Sequence, residues 1–163
     1  MHRAGGVWWA TARPVDEGLL DAPTRARLGS LRTAGDRDRH ATAARLGDLL
    51  VRAHAGADAR VDRRRGLPPR VVGAESPLHL SVAHAGPHVA VAVGPRPLGV
   101  DVEEMTADVA GVATALAPAE ERAVAALPAG ERPVALLRLW VRKEAVLKAA
   151  GVGFAVDPRR LVL

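Results

Sequence analysis

The sequence predicts an α+β fold. Several short apolar stretches have the composition of strands, and longer Ala-rich stretches have the composition and spacing of helices. Strands with helices packed on one side of them form a common layer arrangement. At 163 residues, the chain suits one domain or two small halves that share a core. No clear internal repeat accompanies this pattern.

The first part of the chain predicts one strand, two helices and a loop. Val7–Thr11 is short, apolar and aromatic, which favours a strand. Pro23 and Thr24 begin a helix that runs to about Leu31. Asp36 or Asp38 can cap a longer helix that ends near His54. Residues 56–69 are rich in Arg, Asp, Gly and Pro, as loops are.

The middle of the chain predicts three strands. Leu78–Ala83 and Val89–Val93 flank a short polar segment and predict a hairpin. Pro95 and Pro97 interrupt the chain before a third strand, Leu98–Glu103. Helices are then predicted over residues 106–116, 118–127 and 131–150, and Phe154–Leu163 is predicted as a closing strand.

Composition limits the classes of function. The formal charge of +5 favours polyanionic partners, although 21 arginines against two lysines also indicate a GC-rich coding bias. The absence of cysteine excludes disulfides and thiolate metal sites. No run of about 18 apolar residues and no secretion signal are present, so we expect a cytoplasmic protein. We expect a monomer that does not bind membranes. We also expect no binding of nucleic acid, since a basic, aromatic-interleaved surface pattern is missing.

Two carboxylates share one face of the third predicted strand. Asp101 and Glu103 alternate with Val100 and Val102, and strand geometry places their backbones roughly 6.6 Å apart. Gly99 is expected to leave open space beside them for a phosphate. Oxygen ligands without His or Cys suit Mg²⁺, with Mn²⁺ as an alternative. Taken alone, this common pattern is more simply explained by an exposed strand whose polar face is acidic.

Both lysines lie in one predicted helix around a glutamate. Trp140, Glu144 and Lys148 recur at every fourth residue and therefore share one helix face. Lys143 lies at the flank of that face. An ordinary Glu–Lys surface pair is the alternative interpretation of the helix taken alone.

Together the two segments resemble the 4'-phosphopantetheinyl transferases. Gly-Val-Asp-Val-Glu at 99–103 precedes Trp-x-x-Lys-Glu-Ala-x-x-Lys-x-x-Gly-x-Gly-Phe at 140–154. Upstream, Ser81–Gly86 and Asp36–Arg39 are similar to segments of the larger, pseudo-dimeric Sfp-type branch, and 64–68 echoes a Gly-basic-Pro loop more weakly.

The resemblance implies two similar α+β subdomains, 1–94 and 95–163, related by a pseudo-twofold axis with coenzyme A (CoA) between them. It implies Mg²⁺-dependent transfer of phosphopantetheine from CoA to a serine of an acyl or peptidyl carrier protein. Asp101, Glu103 and Glu144 would hold the metal, and Glu144 would also help to deprotonate the serine. Lys148 would also act in catalysis at the leaving phosphate. The residues implied to contact CoA phosphates are Lys143, Lys148, Arg39 and His84.

The sequence also departs from this family pattern. Leu67 replaces a usual basic residue, Ala83 and Ala85 replace frequent hydroxyl residues, and the chain is short for the Sfp-type branch. A catalytically weak or silent relative that binds CoA or a carrier protein is therefore the alternative function.

Overall fold

The computed structural model describes residues 1–12, 20, 22–29, 31, 33–63, 68–105 and 109–163. Its strands are β1 (His2–Ala4), β2 (Val7–Ala12), β3 (Arg60–Asp62), β4 (Arg70–Val72), β5 (His79–Ala85) and β6 (His88–Gly94). Its helices are α1 (Ala22–Leu28), α2 (Ala34–Ala55), α3 (Val109–Ala113), α4 (Pro118–Ala125) and α5 (Arg132–Ala150). This mixture confirms the α+β prediction.

An antiparallel sheet in the order β1-β2-β6-β5 forms the larger layer of the fold. The central strand β6 is buried along almost its whole length, because its Val and Ala side chains alternate between two covered faces. β5 and β6 form the predicted hairpin, and Ala85 pairs with His88 at its end. Gly86 in the turn has a φ of 50°, and a Cβ there would overlap the carboxylate of Glu104.

Helix α2 packs against this sheet and contributes to the main core. Leu50 and Val51 are buried with Val89, Val91 and Val93 of β6. The helix is capped by Thr33 rather than by the predicted Asp36 or Asp38, because the Thr33 hydroxyl accepts a hydrogen bond from the Asp36 backbone N–H at 3.0 Å.

Three predicted segments differ from the structure. The predicted loop 56–69 contains β3, which pairs with β4. Leu98–Glu103 is not a strand: the Val100 N–H donates to the Ser81 hydroxyl at 3.1 Å, and Gly99 lies directly on the backbone of α5. Phe154–Leu163 is not a strand either. It forms two 3₁₀ turns, and the Lys143 ammonium donates to backbone carbonyls of its second half.

The last third of the chain is helical where it is described. α4 and α5 confirm the predictions for 118–127 and 131–150, and the end of α5 is fixed by Gly151 with a left-handed φ of 68°. The predicted helix 106–116 begins at Val109, and 106–108 lie outside the described residues. Within 95–105 and 109–163 there is no strand, so the predicted pseudo-twofold relation between two similar subdomains is not seen and stays a prediction. None of the described helices combines the length and apolarity that crossing a membrane requires.

Candidate functional site

A pocket of about 310 Å³ lies between helices α1 and α2, strand β5 and the segment that follows β6. Most of its wall is apolar, and its polar groups include two imidazoles, Arg63, Asp101 and Lys148. The lining residues are Thr24, Leu28, Leu31, His40, Ala43, Ala44, Arg63, Pro69, Leu80, Val82, Ala83, His84, Asp101 and Lys148. An apolar cavity with a few convergent polar groups is the usual form of a small-molecule site.

Asp101 and Lys148 form an ion pair in the wall of this pocket. The Lys148 Nζ lies 2.7 Å from Asp101 Oδ1 and 3.4 Å from the Val100 carbonyl oxygen. The Asp101 side chain is only 8% exposed, and its second oxygen, Oδ2, is buried without a hydrogen-bond partner among the described residues. Such an orphaned carboxylate oxygen is costly unless a ligand or a cation satisfies it.

Asp101 lies against α5 because Gly99 lets the backbone of residues 98–103 approach the backbone of the helix closely. A Cβ on Gly99 would lie 1.8 Å from the Ala145 carbonyl oxygen. The expected open space beside Gly99 is therefore filled by helix backbone, and that expectation is corrected. The glycine permits a close approach that brings Asp101 to Lys148.

Glu144 lies one turn before Lys148 on α5 and interacts electrostatically with Asp101 and Glu103. Burial raises the pKa of Glu144 above its ordinary value, and the negative charges of Asp101 and Glu103 raise it further, while Lys148 opposes them. The predicted carboxylates thus share one electrostatic neighbourhood, and ionising Glu144 there is unfavourable.

Glu103 accepts a hydrogen bond from a side chain of the same helix, α5. Trp140 Nε1 donates a hydrogen bond to Glu103 Oε1 at 3.1 Å. Trp140, Glu144 and Lys148 therefore face the acidic segment together, as their four-residue spacing predicts.

The carboxylates fit a divalent cation in donor type. Their hard oxygens and the unpartnered Asp101 Oδ2 suit Mg²⁺. Across the described residues, however, no three His, Cys, Asp or Glu side chains already converge in a metal-binding group. Asp101, Glu103 and Glu144 are the carboxylates that could hold a cation at this place.

His84 lines the pocket, and Arg39 lies at the turn between β5 and β6. The exposed His84 ring lines the cavity, and the His40 ring lies 5.8 Å from it between centroids. Arg39 pairs with Asp36 and donates to the Gly86 carbonyl oxygen at 3.3 Å. The two predicted CoA-contacting residues are therefore close to one hairpin, and His84 shares the pocket with Lys148.

Sequence reasoning missed His40 and the position of Arg63. His40 directly follows Arg39, and residues 40, 43 and 44 lie on one face of α2 that lines the pocket, a spacing that could have indicated it. Arg63, in the predicted loop 56–69, pairs with Asp48 at 2.9 Å and lines the pocket. Residues 64–67, including the unusual Leu67, lie outside the described residues.

Lys143 is not part of the pocket, which corrects its predicted role. Its side chain is 0% exposed, and its ammonium contacts Glu120 Oε2 at 2.6 Å and the carbonyl oxygens of Pro158 and Leu161 at 2.8 and 2.5 Å. These three contacts use all three donors of the ammonium. In this position Lys143 cannot contact a phosphate of CoA.

The chain is similar to known proteins in the region of this site. A family model described as the 4'-phosphopantetheinyl transferase superfamily matches residues 97–162. A Bacillus subtilis 4'-phosphopantetheinyl transferase is 27% identical over 120 residues, which cover 68% of this chain and 53% of that protein. The chain thus spans about half the length of this relative. The region that the family model matches contains Asp101, Glu103, Glu144 and Lys148.

Proposed function

We propose that the protein transfers 4'-phosphopantetheine from CoA to a serine hydroxyl of an acyl or peptidyl carrier protein and releases adenosine 3',5'-bisphosphate. The observation that carries this proposal is the contact of Lys148 with Asp101 beside Glu103 and Glu144, at one end of a largely apolar pocket. Similarity to the 4'-phosphopantetheinyl transferase superfamily over the same residues supports it. The holo-acyl-carrier-protein synthase reaction is the specific form of this activity.

We propose Mg²⁺ as the cofactor, held by Asp101, Glu103 and Glu144 against the pyrophosphate of CoA. When bound, it would neutralise the charge that develops on the transferred phosphoryl group. The unpartnered Oδ2 of Asp101 supports this assignment, as does the unfavourable ionisation of Glu144 beside two other carboxylates. Trp140 orients Glu103 for it through the bond to Oε1.

Glu144 and Lys148 carry the proton transfers in this proposal. Glu144 is the carboxylate that we assign to help deprotonate the carrier serine. The serine oxygen attacks the phosphorus next to pantetheine, and the bond from that phosphorus to the oxygen of the adenosine 5'-phosphate breaks. Lys148 stabilises or protonates that leaving oxygen, since its ammonium is half-buried in the pocket wall.

The N-terminal part of the site would bind the nucleotide end of CoA. His84 lines the pocket and Arg39 lies at the adjoining hairpin turn, so both can meet its phosphates. The proposal includes the division into subdomains 1–94 and 95–163, with CoA in the cleft between them. It also includes membership of the Sfp-type branch. A monomeric, cytoplasmic enzyme is part of the same proposal.

Intact mass spectrometry of a carrier protein tests this function. Wild-type protein with CoA, Mg²⁺ and an apo-carrier is expected to add one phosphopantetheine group, and a carrier with its acceptor serine changed to alanine is expected to gain none. Glu144→Gln and Lys148→Ala are expected to lower the rate by at least about 10²-fold. Glu131→Gln and Arg142→Ala, at exposed positions at the start of α5 and along it, are the matched controls and are expected to retain it.

Two results would contradict the proposal. No mass gain across several carriers would refute transfer, and tight CoA binding by calorimetry in the same preparation would then select the silent binding relative. Near-normal rates for both active-site variants, with normal circular dichroism, would refute the residue roles.

A further inference from the structure

A buried ion pair lies behind the face of α5 that carries Glu144 and Lys148. Lys143 is 0% exposed and Glu120 of α4 is 4% exposed, and their side chains meet at 2.6 Å. Buried charges of this kind persist only when every polar atom has a partner. We define these two side chains and the backbone groups that they bind as the clasp.

Backbone groups from two further places complete the clasp. Glu120 Oε2 accepts from the Ala117 N–H at 2.8 Å, and Oε1 accepts from the Leu163 N–H at 3.1 Å. The Lys143 ammonium donates to the carbonyl oxygens of Pro158 and Leu161. The clasp therefore joins the start of α4, the middle of α5 and the segment 157–163.

Little apolar burial holds segment 157–163 in place. Val162 is 62% exposed and Leu163 is 43% exposed, although both are large apolar residues. None of residues 157–163 is buried. The polar contacts of Glu120 and Lys143 therefore attach this segment to α4 and α5.

Helix α5 is fixed from two sides. Lys143 points about 100° around the helix from Glu144, because successive residues turn by that angle. On another side, Gly99 touches the helix backbone at Ala145 and brings Asp101 to Lys148. A small rotation or shift of α5 would change the position of Glu144 and Lys148 relative to Asp101.

We infer that Lys143 is a positioning residue: with Glu120 it fixes segment 157–163 to α5 and so sets the placement of Glu144 and Lys148 against Asp101. This inference rests on the proposed function for its catalytic consequence. Its structural part, that the clasp fixes α5 against the Gly99–Asp101 segment, stands independently of that function.

The test is the double variant Lys143→Met with Glu120→Gln, compared with the wild-type protein. It removes both buried charges together, because Lys143→Met alone would leave Glu120 charged and unpaired. The Glu120→Gln change keeps an oxygen acceptor of similar shape for the Ala117 N–H. Arg160→Met is the matched control, since it removes an exposed cation from the same segment without touching the clasp.

Amide hydrogen exchange and steady-state kinetics are both measured where circular dichroism shows a folded variant. We expect amides of 157–163 and the Val100 amide, which donates to Ser81, to exchange at least about tenfold faster in the double variant. We expect kcat to fall at least about tenfold while the KM for CoA changes less than about threefold. Arg160→Met is expected to match the wild type in all of these.

Unchanged exchange in 157–163 would show that the clasp does not hold the segment and would overturn the inference. Faster exchange confined to 157–163, with Val100 protection and kcat at wild-type values, would also overturn it. A wild-type protein that loads no carrier would instead refute the proposed function, and Val100 exchange alone would then decide whether the clasp fixes α5.

Discussion

Replacing Gly99 by alanine perturbs the contact that brings Asp101 to the helix. The new Cβ would lie 1.8 Å from the Ala145 carbonyl oxygen, 2.7 Å from its carbon and 2.9 Å from the Ala149 nitrogen. All three are backbone atoms, so no side-chain rotation can relieve the overlap. The segment or the helix must move.

The size of the movement follows from these distances. Real Cβ atoms essentially never approach closer than 3.0 Å, so the separation must grow by about 1.2 Å. Overpacking of this kind costs about 1–3 kcal/mol, which for a domain of this size lowers Tm by about 2–12 °C. A shift of about 1 Å in a catalytic group can lower a rate by about 10²-fold, and the 2.7 Å contact between Lys148 and Asp101 is the one displaced.

Thermal unfolding and the rate of carrier loading measure the two effects of Gly99→Ala. Gly111→Ala is the matched control, because a Cβ at Gly111 meets no atom within 4 Å. We expect the control to keep the wild-type rate and Tm or to gain slightly in Tm, since alanine favours a helix. If Gly99→Ala matched Gly111→Ala in both measurements, the close approach of residue 99 to α5 would be wrong.

Two further predictions concern the acidic cluster. Because burial and neighbouring carboxylates raise the pKa of Glu144, its ionisation destabilises the metal-free fold. Glu144→Gln is therefore expected to raise Tm at neutral pH. This gain in Tm is expected to be absent below the ordinary pKa of 4.5 and to appear as the pH rises through the pKa of the folded state. Thermal unfolding against pH measures this, and a gain that does not vary with pH would contradict it. Trp140→Phe removes the donor to Glu103 and is expected to raise the Mg²⁺ concentration for half-maximal loading about 10–100-fold. An unchanged Mg²⁺ titration would show that this hydrogen bond does not orient a metal ligand.

The helix face of the site was predictable from local spacing. Trp140, Glu144 and Lys148 recur every four residues, and the structure turns all three toward the acidic segment. The same rule explains the correction for Lys143: a residue one position from Glu144 is turned about 100° away, here into a fully buried contact with Glu120.

The strand predicted for Leu98–Glu103 failed for a long-range reason. Its apolar–polar alternation suits a strand, but this part of the chain lies on the backbone of α5, and the Val100 N–H bonds to a side chain instead of a neighbouring strand. Alternation describes one segment and says nothing of the element that it meets.

The set of residues that lines the pocket could not be predicted from their spacing in the sequence. His40 on α2, Arg63 after β3 and Lys148 on α5 are far apart in the sequence and are brought together only by the packing of helices on the sheet. The resemblance to a family assigned Asp101 and Lys148 to one site, but it did not predict their ion pair, and no local pattern links residues separated by 47 positions.

The most direct test of phosphopantetheine transfer is the stoichiometry of its two products. With CoA, Mg²⁺ and an apo-carrier, we predict that one adenosine 3',5'-bisphosphate is released for each phosphopantetheine gained by the carrier, and that chelating the metal abolishes both. Release of the nucleotide without a gain in carrier mass would indicate hydrolysis of CoA and would contradict transfer. Formation of neither product, with several carriers and with CoA shown to bind, would contradict the proposed activity altogether.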